Sequence, residues 1–272
     1  MNFMGYWKTS WFRFVVPVGL LALWELLSRV GLLSESLLPA PTRIAMTWAD
    51  WLFATTGATE ANSGKWGFDA LNSAMRVLIG YGIAAAAGIV IGLAIGWWRF
   101  VEKLIEPTIQ LLRPIPPVSW IPLAIIWFGI ANKPAIFLVF LGAVFPILMN
   151  TIHGVRSVDK NLLRAALMMG SNQWQIIRYV ILPAALPSIF SGLRIGIGSA
   201  WMLTVTAEMV AVKSGLGYVL WDSYYFLRYD LVLASMASIG LMGFLSDFVL
   251  KKLMNKALHW QFCTTVQGQQ TS

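Results

Sequence analysis

Apolar stretches of about 20 residues recur along this 272-residue chain, each long enough to cross the roughly 30 Å hydrocarbon core of a bilayer as a helix. That recurrence constrains the fold more than any other feature. In hydrocarbon every backbone polar group needs a partner inside the protein, which leaves only helices and closed barrels. A spanning barrel reads as short alternating segments, and the chain has none. Composition agrees, with 58% apolar and 12% charged residues and a mean hydropathy of +0.69, where a soluble domain carries about 25% charged residues. The expected class is an all-α polytopic membrane protein.

Six spans are expected: Phe14–Leu33, Val77–Trp98, Leu104–Phe128, Ala135–Ile152, Ile189–Val212 and Leu231–Leu250. The first has the look of a signal peptide, but its length and the lack of a small-residue cleavage site in 34–41 argue for a retained anchor. Basic residues set the orientation. Lys8, Arg13, Arg99, Lys103, Arg156, Lys160, Arg164, Arg178, Lys251, Lys252 and Lys256 gather at one set of ends. On the other side Arg29, Arg43, Lys65, Arg76, Lys133, Lys213 and Arg228 are mostly diluted by acids. Both termini are therefore expected in the cytoplasm. The chain divides into a cytoplasmic N-terminus at 1–13, a first transmembrane helix at 14–33 and an outer, periplasmic loop at 34–76. A transmembrane core at 77–250 follows, with cytoplasmic helices at 159–183, and then a cytoplasmic tail at 251–272. Within the outer loop, Thr42–Phe53 and Phe68–Met75 read as short surface helices around a Thr/Gly/Ser/Asn-rich centre at 54–67.

The net charge of +8 is explained by loop-end cations. No basic stripe with interleaved aromatics suggests nucleic acid. The lone Cys263 provides neither a disulfide framework nor a thiolate metal site, and His153 and His259 read as solvated loop residues. No His-Glu-x-x-His pair and no serine with a base offers a catalytic set, so neither catalytic nor metal-ligating residues are assigned. The nearest thing to a phosphate loop is Gly57, six residues, Gly64, Lys65, Trp66. A P-loop needs four intervening residues and Ser or Thr after the lysine. This chain is not expected to hydrolyse ATP.

Small residues recur every four positions in the second span (Gly80, Ala84, Gly88, Gly92, Gly96) and in the fifth (Gly192, Gly196, Ala200, Thr204). Such a row lets another helix backbone approach closely. In the fifth span the row ends at Glu208. Ionisable groups at membrane depth face protein or a wet cavity, and Glu106, Arg113, Arg194 and Glu208 are such groups. Arg194 and Glu208 lie roughly 21 Å apart along one helix, so each needs a partner elsewhere. The third span is interrupted by Pro107, Pro114, Pro116, Pro117 and Pro122, each removing a backbone donor. Broken helices at this depth are tolerated where they are buried or line a cavity. Arg113, Pro114, Pro116, Pro117, Trp120, Trp127, Arg194 and Glu208 are the candidate pathway and gating residues.

Between the fourth and fifth spans, Asp159 is placed to cap a helix whose Leu162, Ala165, Ala166 and Met169 share one face. Gly170 suits the helix end, and Ser171 is placed to cap a second helix. There Trp174, Ile177 and Ile181 recur until Pro183 is expected to stop it. Two short helices meeting at a glycine elbow are expected.

This segment resembles the cytoplasmic signature of importer permeases: Glu-Ala-Ala, three residues, Gly, nine residues, Ile, one residue, Leu-Pro. Ala165, Ala166, Gly170, Leu182 and Pro183 match in register, Val180 stands at the Ile position, and Arg164 replaces the Glu. Further blocks between Leu104 and Leu250 are similar to the taurine, sulfonate, nitrate and bicarbonate branch of ABC importer permeases. They are Arg113-Pro-Ile-Pro-Pro, Trp120-Ile-Pro-Leu, Ile126-Trp-Phe-Gly-Ile, Ser191-Gly-Leu-Arg-Ile-Gly-Ile-Gly, Ala207-Glu-Met and Ser214-Gly-Leu-Gly-Tyr. The resemblance implies a type I importer permease (MetI-like) architecture in a bacterial inner membrane. It implies that Arg164, Ala165, Ala166, Gly170, Trp174, Leu182 and Pro183 form a coupling segment seated on an ATPase subunit. That partner uses ATP and Mg, while this chain binds no cofactor. Also implied are a second permease copy, membrane lipid and a periplasmic or lipid-anchored solute-binding protein. The implied solute is a small anion, with taurine or another alkanesulfonate first, on Arg164 and the long outer loop, and nitrate or bicarbonate as the alternative. A secondary transporter is the rival from another class, but no inverted repeat is visible.

Overall fold

A computed structural model describes residues 4–31, 38–55 and 62–258, and for residues 4–14 the backbone alone. Cys263 and His259, most of the 251–272 tail and the centre of the outer loop lie outside the described residues. The described chain is helical, with no strand among the described residues. Helix α1 is Met4–Arg29, α2 is Pro41–Phe53, α3 is Trp66–Trp97 and α4 is Arg99–Leu112. A 3-10 turn at Pro117–Trp120 leads to α5 at Ile121–Phe128, and α6 is Asn132–Arg156. Then come α7 at Lys160–Met168, α8 at Gln173–Ile176, a π turn at Ile177–Ile181, α9 at Leu182–Ala211, α10 at Leu216–Tyr225 and α11 at Tyr229–Ala257.

By length and hydropathy, four helical stretches among the described residues can cross a membrane: α3, α6, α8 through α9, and α11. A fifth exists if α4 and the Pro117–Phe128 segment, bent by 85° to each other, count as one broken span. The third expected span is thus two helices with a sharp corner. Pro114, Pro116 and Pro117 sit at that corner, where the missing N–H groups and ring clashes end α4.

Helix α6 is the centre of the bundle, with α3 on one side and α9 on the other. The small-residue rows explain why. A Cβ on Gly80 would lie 2.7 Å from Ile136 O, and one on Gly92 2.7 Å from Thr151 Cβ. On α9, a Cβ on Gly192 would lie 2.7 Å from Asn150 Cβ. Both rows therefore bring backbones into contact with α6, as small residues do at helix interfaces in membranes. Ala84, Val139, Ala143, Ile147 and Ala200 fill the core between them. Leu78, Ile83, Val90, Phe244 and Phe248 stand exposed on outward faces of α3 and α11, as side chains solvated by acyl chains would.

Helix α3 begins at Trp66, so Phe68–Met75 is its first part and not a separate surface helix. Tertiary bonds hold this extension: Trp66 Nε1 donates to Ser238 Oγ at 2.9 Å, and Asp69 accepts from Gly215 N at 3.2 Å. Hydropathy alone cannot register an extension held by polar contacts.

Candidate coupling elbow and pathway

The elbow is built from capping chemistry. The Asp159 side chain accepts from Asn161 N at 2.8 Å and starts α7. At the other end Ser171 N donates to Ala166 O at 3.1 Å and Gly170 N to Leu167 O at 3.0 Å, the Schellman pattern. It requires a left-handed residue, and Gly170 has φ +80°. The next helix starts one residue later than expected. Asn172, not Ser171, is its cap, in a reciprocal box with Gln175: each side chain accepts from the other's backbone N–H, at 2.9 and 2.8 Å. Gln175 at the third helical position makes this box closable, a spacing legible in the sequence.

Two further details differ from expectation. Pro183 does not stop the helix. Residues 173–211 run as one continuous helical stretch, because the π turn at Ile177–Ile181 re-registers the ladder and Leu182 N donates to Ile177 O. Pro183 follows on this π turn, as the second residue of α9. The expected shared face of Leu162, Ala165, Ala166 and Met169 is also split, Ala166 being buried and the other three exposed. Ala166, Ile176 and Ile181 are buried with Val155, Val158, Ala185 and Ile189, with Ile177 half-buried against them, whereas Leu162, Met169 and Trp174 point out. Met168 is 88% and Trp174 68% exposed, and Leu162, Leu167, Met169 and Tyr179 join them. Arg164, Ala165 and Gly170 are exposed too, while Leu182 and Pro183 are half-buried. The elbow is capped at the start of both helices and has an apolar outer surface.

The kinked region lines an open cavity of about 580 Å³ against α6 and α9. Arg113, Pro116 and Pro117 border it, and Arg113 and Pro116 are exposed, as is Pro114. Trp120 and Trp127 belong to a neighbouring aromatic cluster with Phe128 and Phe137, ring centroids 5.5 to 6.5 Å apart. These residues are close in space. Arg194 and Glu208 are not part of that lining.

Glu208 is fully buried, 0% exposed, and bound to α3. Its Oε1 accepts from Arg76 Nη1, and its Oε2 accepts from Ser73 Oγ and Gly217 N, each at 2.9 Å. Arg76 also donates to Asn132 Oδ1 at 2.9 Å, to Ser214 O at 2.7 Å and to Ser214 Oγ at 2.7 Å. The cluster joins α3, the start of α6, the end of α9 and the turn into α10. A buried charge survives only when paired and hydrogen-bonded in this way. Sequence reading assigned Arg76 to the outer loop and so missed the pair. Asp69, Ser73 and Arg76 lie at i, i+4 and i+7, on one helix face. Arg194 likewise has a partner: Nε and Nη2 donate to the two oxygens of Asp247 on α11, both at 2.8 Å. Asp247 lies inside the sixth expected span and carried the same signal as Glu208. Glu106, on the polar face of α4, lies 3.8 Å from Arg156, which also meets Glu102 at 2.9 Å.

Residues 84–257 match the family described as binding-protein-dependent transport system inner membrane component. This chain belongs to that family. It is a multi-pass inner membrane component of an ABC transporter, and its relatives are permease subunits. The taurine transport system permease protein of Escherichia coli (strain K12) is 34% identical, over 89% of this chain and 86% of that one. Another protein of the same strain, whose name assigns it provisionally to aliphatic sulfonates transport, is 38% identical over 92% and 90% of the two chains. The nitrate import permease protein of Synechococcus elongatus is 35% identical over 75% and 73%. The permease fold is shared with the inward-facing MetNI methionine ABC transporter at a TM-score of 0.53 and 20% identity, covering 70% of this chain and 98% of that one.

Proposed function

We propose that this chain forms the translocation pathway of an ATP-driven importer for a small anion, with taurine or another alkanesulfonate as lead solute. A periplasmic or lipid-anchored binding protein delivers the solute, and a second copy of the chain completes the pathway. The elbow carries this reading. Its exposed Leu162, Leu167, Met168, Met169 and Trp174 form the face that seats on an ATPase subunit, which supplies the ATP and Mg. Helix α1 serves as the first of six spans, with both termini in the cytoplasm.

The geometry suits a lever. The elbow's second helix continues through the π turn into α9. A push at Trp174 is therefore carried along one stiff element past the cavity wall to the Glu208 cluster. Closure of two ATPases draws two elbows together and opens the pathway outward, and hydrolysis restores the inward state. A nitrate or bicarbonate solute is the alternative, supported by the nitrate permease relative. An ion-coupled carrier would leave the apolar elbow face without use.

Ala165 is exposed, so Ala165→Trp obstructs docking while leaving the fold intact. The expected result is uptake reduced at least tenfold, with normal membrane insertion and ATP hydrolysis no longer tied to uptake. Wild-type uptake by this variant would contradict the docking role.

A further inference from the structure

The cavity beside the kink has a chemistry that narrows the solute. Its walls are Leu141, Phe145 and Met149 from α6 and Ile195 and Met202 from α9, with Arg113 at the border. Among the described residues Arg113 is the only ionisable side chain lining it. Among the described residues its guanidinium meets no carboxylate, unlike Arg194, whose charge Asp247 offsets in a two-pronged bond. Polar lining is otherwise sparse and partly committed: Asn150 Nδ2 donates to Pro146 O, and Ser199 Oγ to Ile195 O.

A guanidinium fork matches the paired oxygens of an oxyanion. The apolar walls select what is attached to that head. A nitrate or bicarbonate ion would meet the same guanidinium but lose hydration against the apolar walls with no apolar part to offset the loss, whereas an alkyl chain gains by leaving water. Taurine fits less well, because among the described residues no lining carboxylate receives its ammonium group. We propose that this cavity is an anion subsite for alkanesulfonates lacking an amino group, with Arg113 holding the sulfonate and the α6 and α9 walls covering the chain. The assignment rests on the importer reading above.

The test is uptake of butanesulfonate, taurine and nitrate by proteoliposomes holding the chain with its ATPase and binding protein. Solute concentrations that saturate the binding protein make the rate report the permease. Butanesulfonate is expected to enter about tenfold faster than taurine or nitrate. Arg113→Gln should lower butanesulfonate uptake about tenfold, Arg113→Lys should recover part of it, and Lys103→Gln, outside the cavity, should match wild type. Ser199→Asp, which adds a carboxylate to the lining, should lower butanesulfonate uptake and shift preference toward taurine. Should Arg113→Gln fail to assemble with the ATPase, Ser199→Asp decides. Equal rates for the three solutes, or undiminished butanesulfonate uptake by Arg113→Gln or Ser199→Asp, overturn the subsite and leave the importer reading standing. Absence of uptake of all three by wild type overturns the subsite, and absence of bicarbonate uptake as well overturns the importer reading with it.

Discussion

At the scale of single residues, the buried Arg76–Glu208 pair is the point of greatest leverage. Removing one partner leaves the other charged and stranded, a loss of about 3–5 kcal/mol in stability. Glu208→Ala and Arg76→Met are each expected to lower the thermal unfolding temperature in detergent sharply. The double variant should be closer to wild type than either single one, because replacing both charges removes the desolvation cost as well. Additive losses would show that the two side chains act independently. Gly215 belongs to the same cluster. Its φ is +114°, and a Cβ there would lie 2.6 Å from Glu208 Oε1, so Gly215→Ala is expected to cost about 1–3 kcal/mol by strain alone. The acid was legible in the sequence because it ends a row of small residues. Its partner was not, because Arg76 sits one residue before the apolar run and reads as a loop cation.

At the scale of elements, helix contacts rather than helix propensities set the architecture. A methyl group at Gly92 would lie 2.7 Å from Thr151 Cβ, while nothing lies within 4 Å of one at Gly82. Gly92→Ala is therefore expected to destabilise the α3–α6 contact by about 1–3 kcal/mol. Gly82→Ala should be neutral or stabilise by up to about 1 kcal/mol through helix propensity. Thermal unfolding of the two variants in one detergent checks the contrast, and equal shifts would rule out the contact as the cause. The four-residue period that predicts this packing is visible in sequence, as are Asp159 and Gly170 at the ends of α7. The course of the chain at Pro183 was not. Proline ordinarily ends a helix, and only the π turn before it, which no residue pattern announces, allows the helix to continue into α9.

At the scale of the whole molecule, the proposed mechanical path runs through these elements in order. A capped elbow bears an apolar outer face, its second helix continues as α9, α9 lines the cavity, and the far end of α9 is locked to α3. The all-α membrane class and the broken third span were plain from hydropathy and proline spacing. The 85° corner and the cavity it leaves depend on tertiary packing that sequence periodicity does not encode. In the proposed mechanism, force made in another polypeptide drives solute through this one. Radiolabelled butanesulfonate uptake by proteoliposomes tests it directly, comparing the chain alone with the chain plus ATPase, binding protein and Mg-ATP. Accumulation is expected only in the complete system, and is abolished when ATP is replaced by a non-hydrolysable analogue. Accumulation by the chain alone would contradict that mechanism.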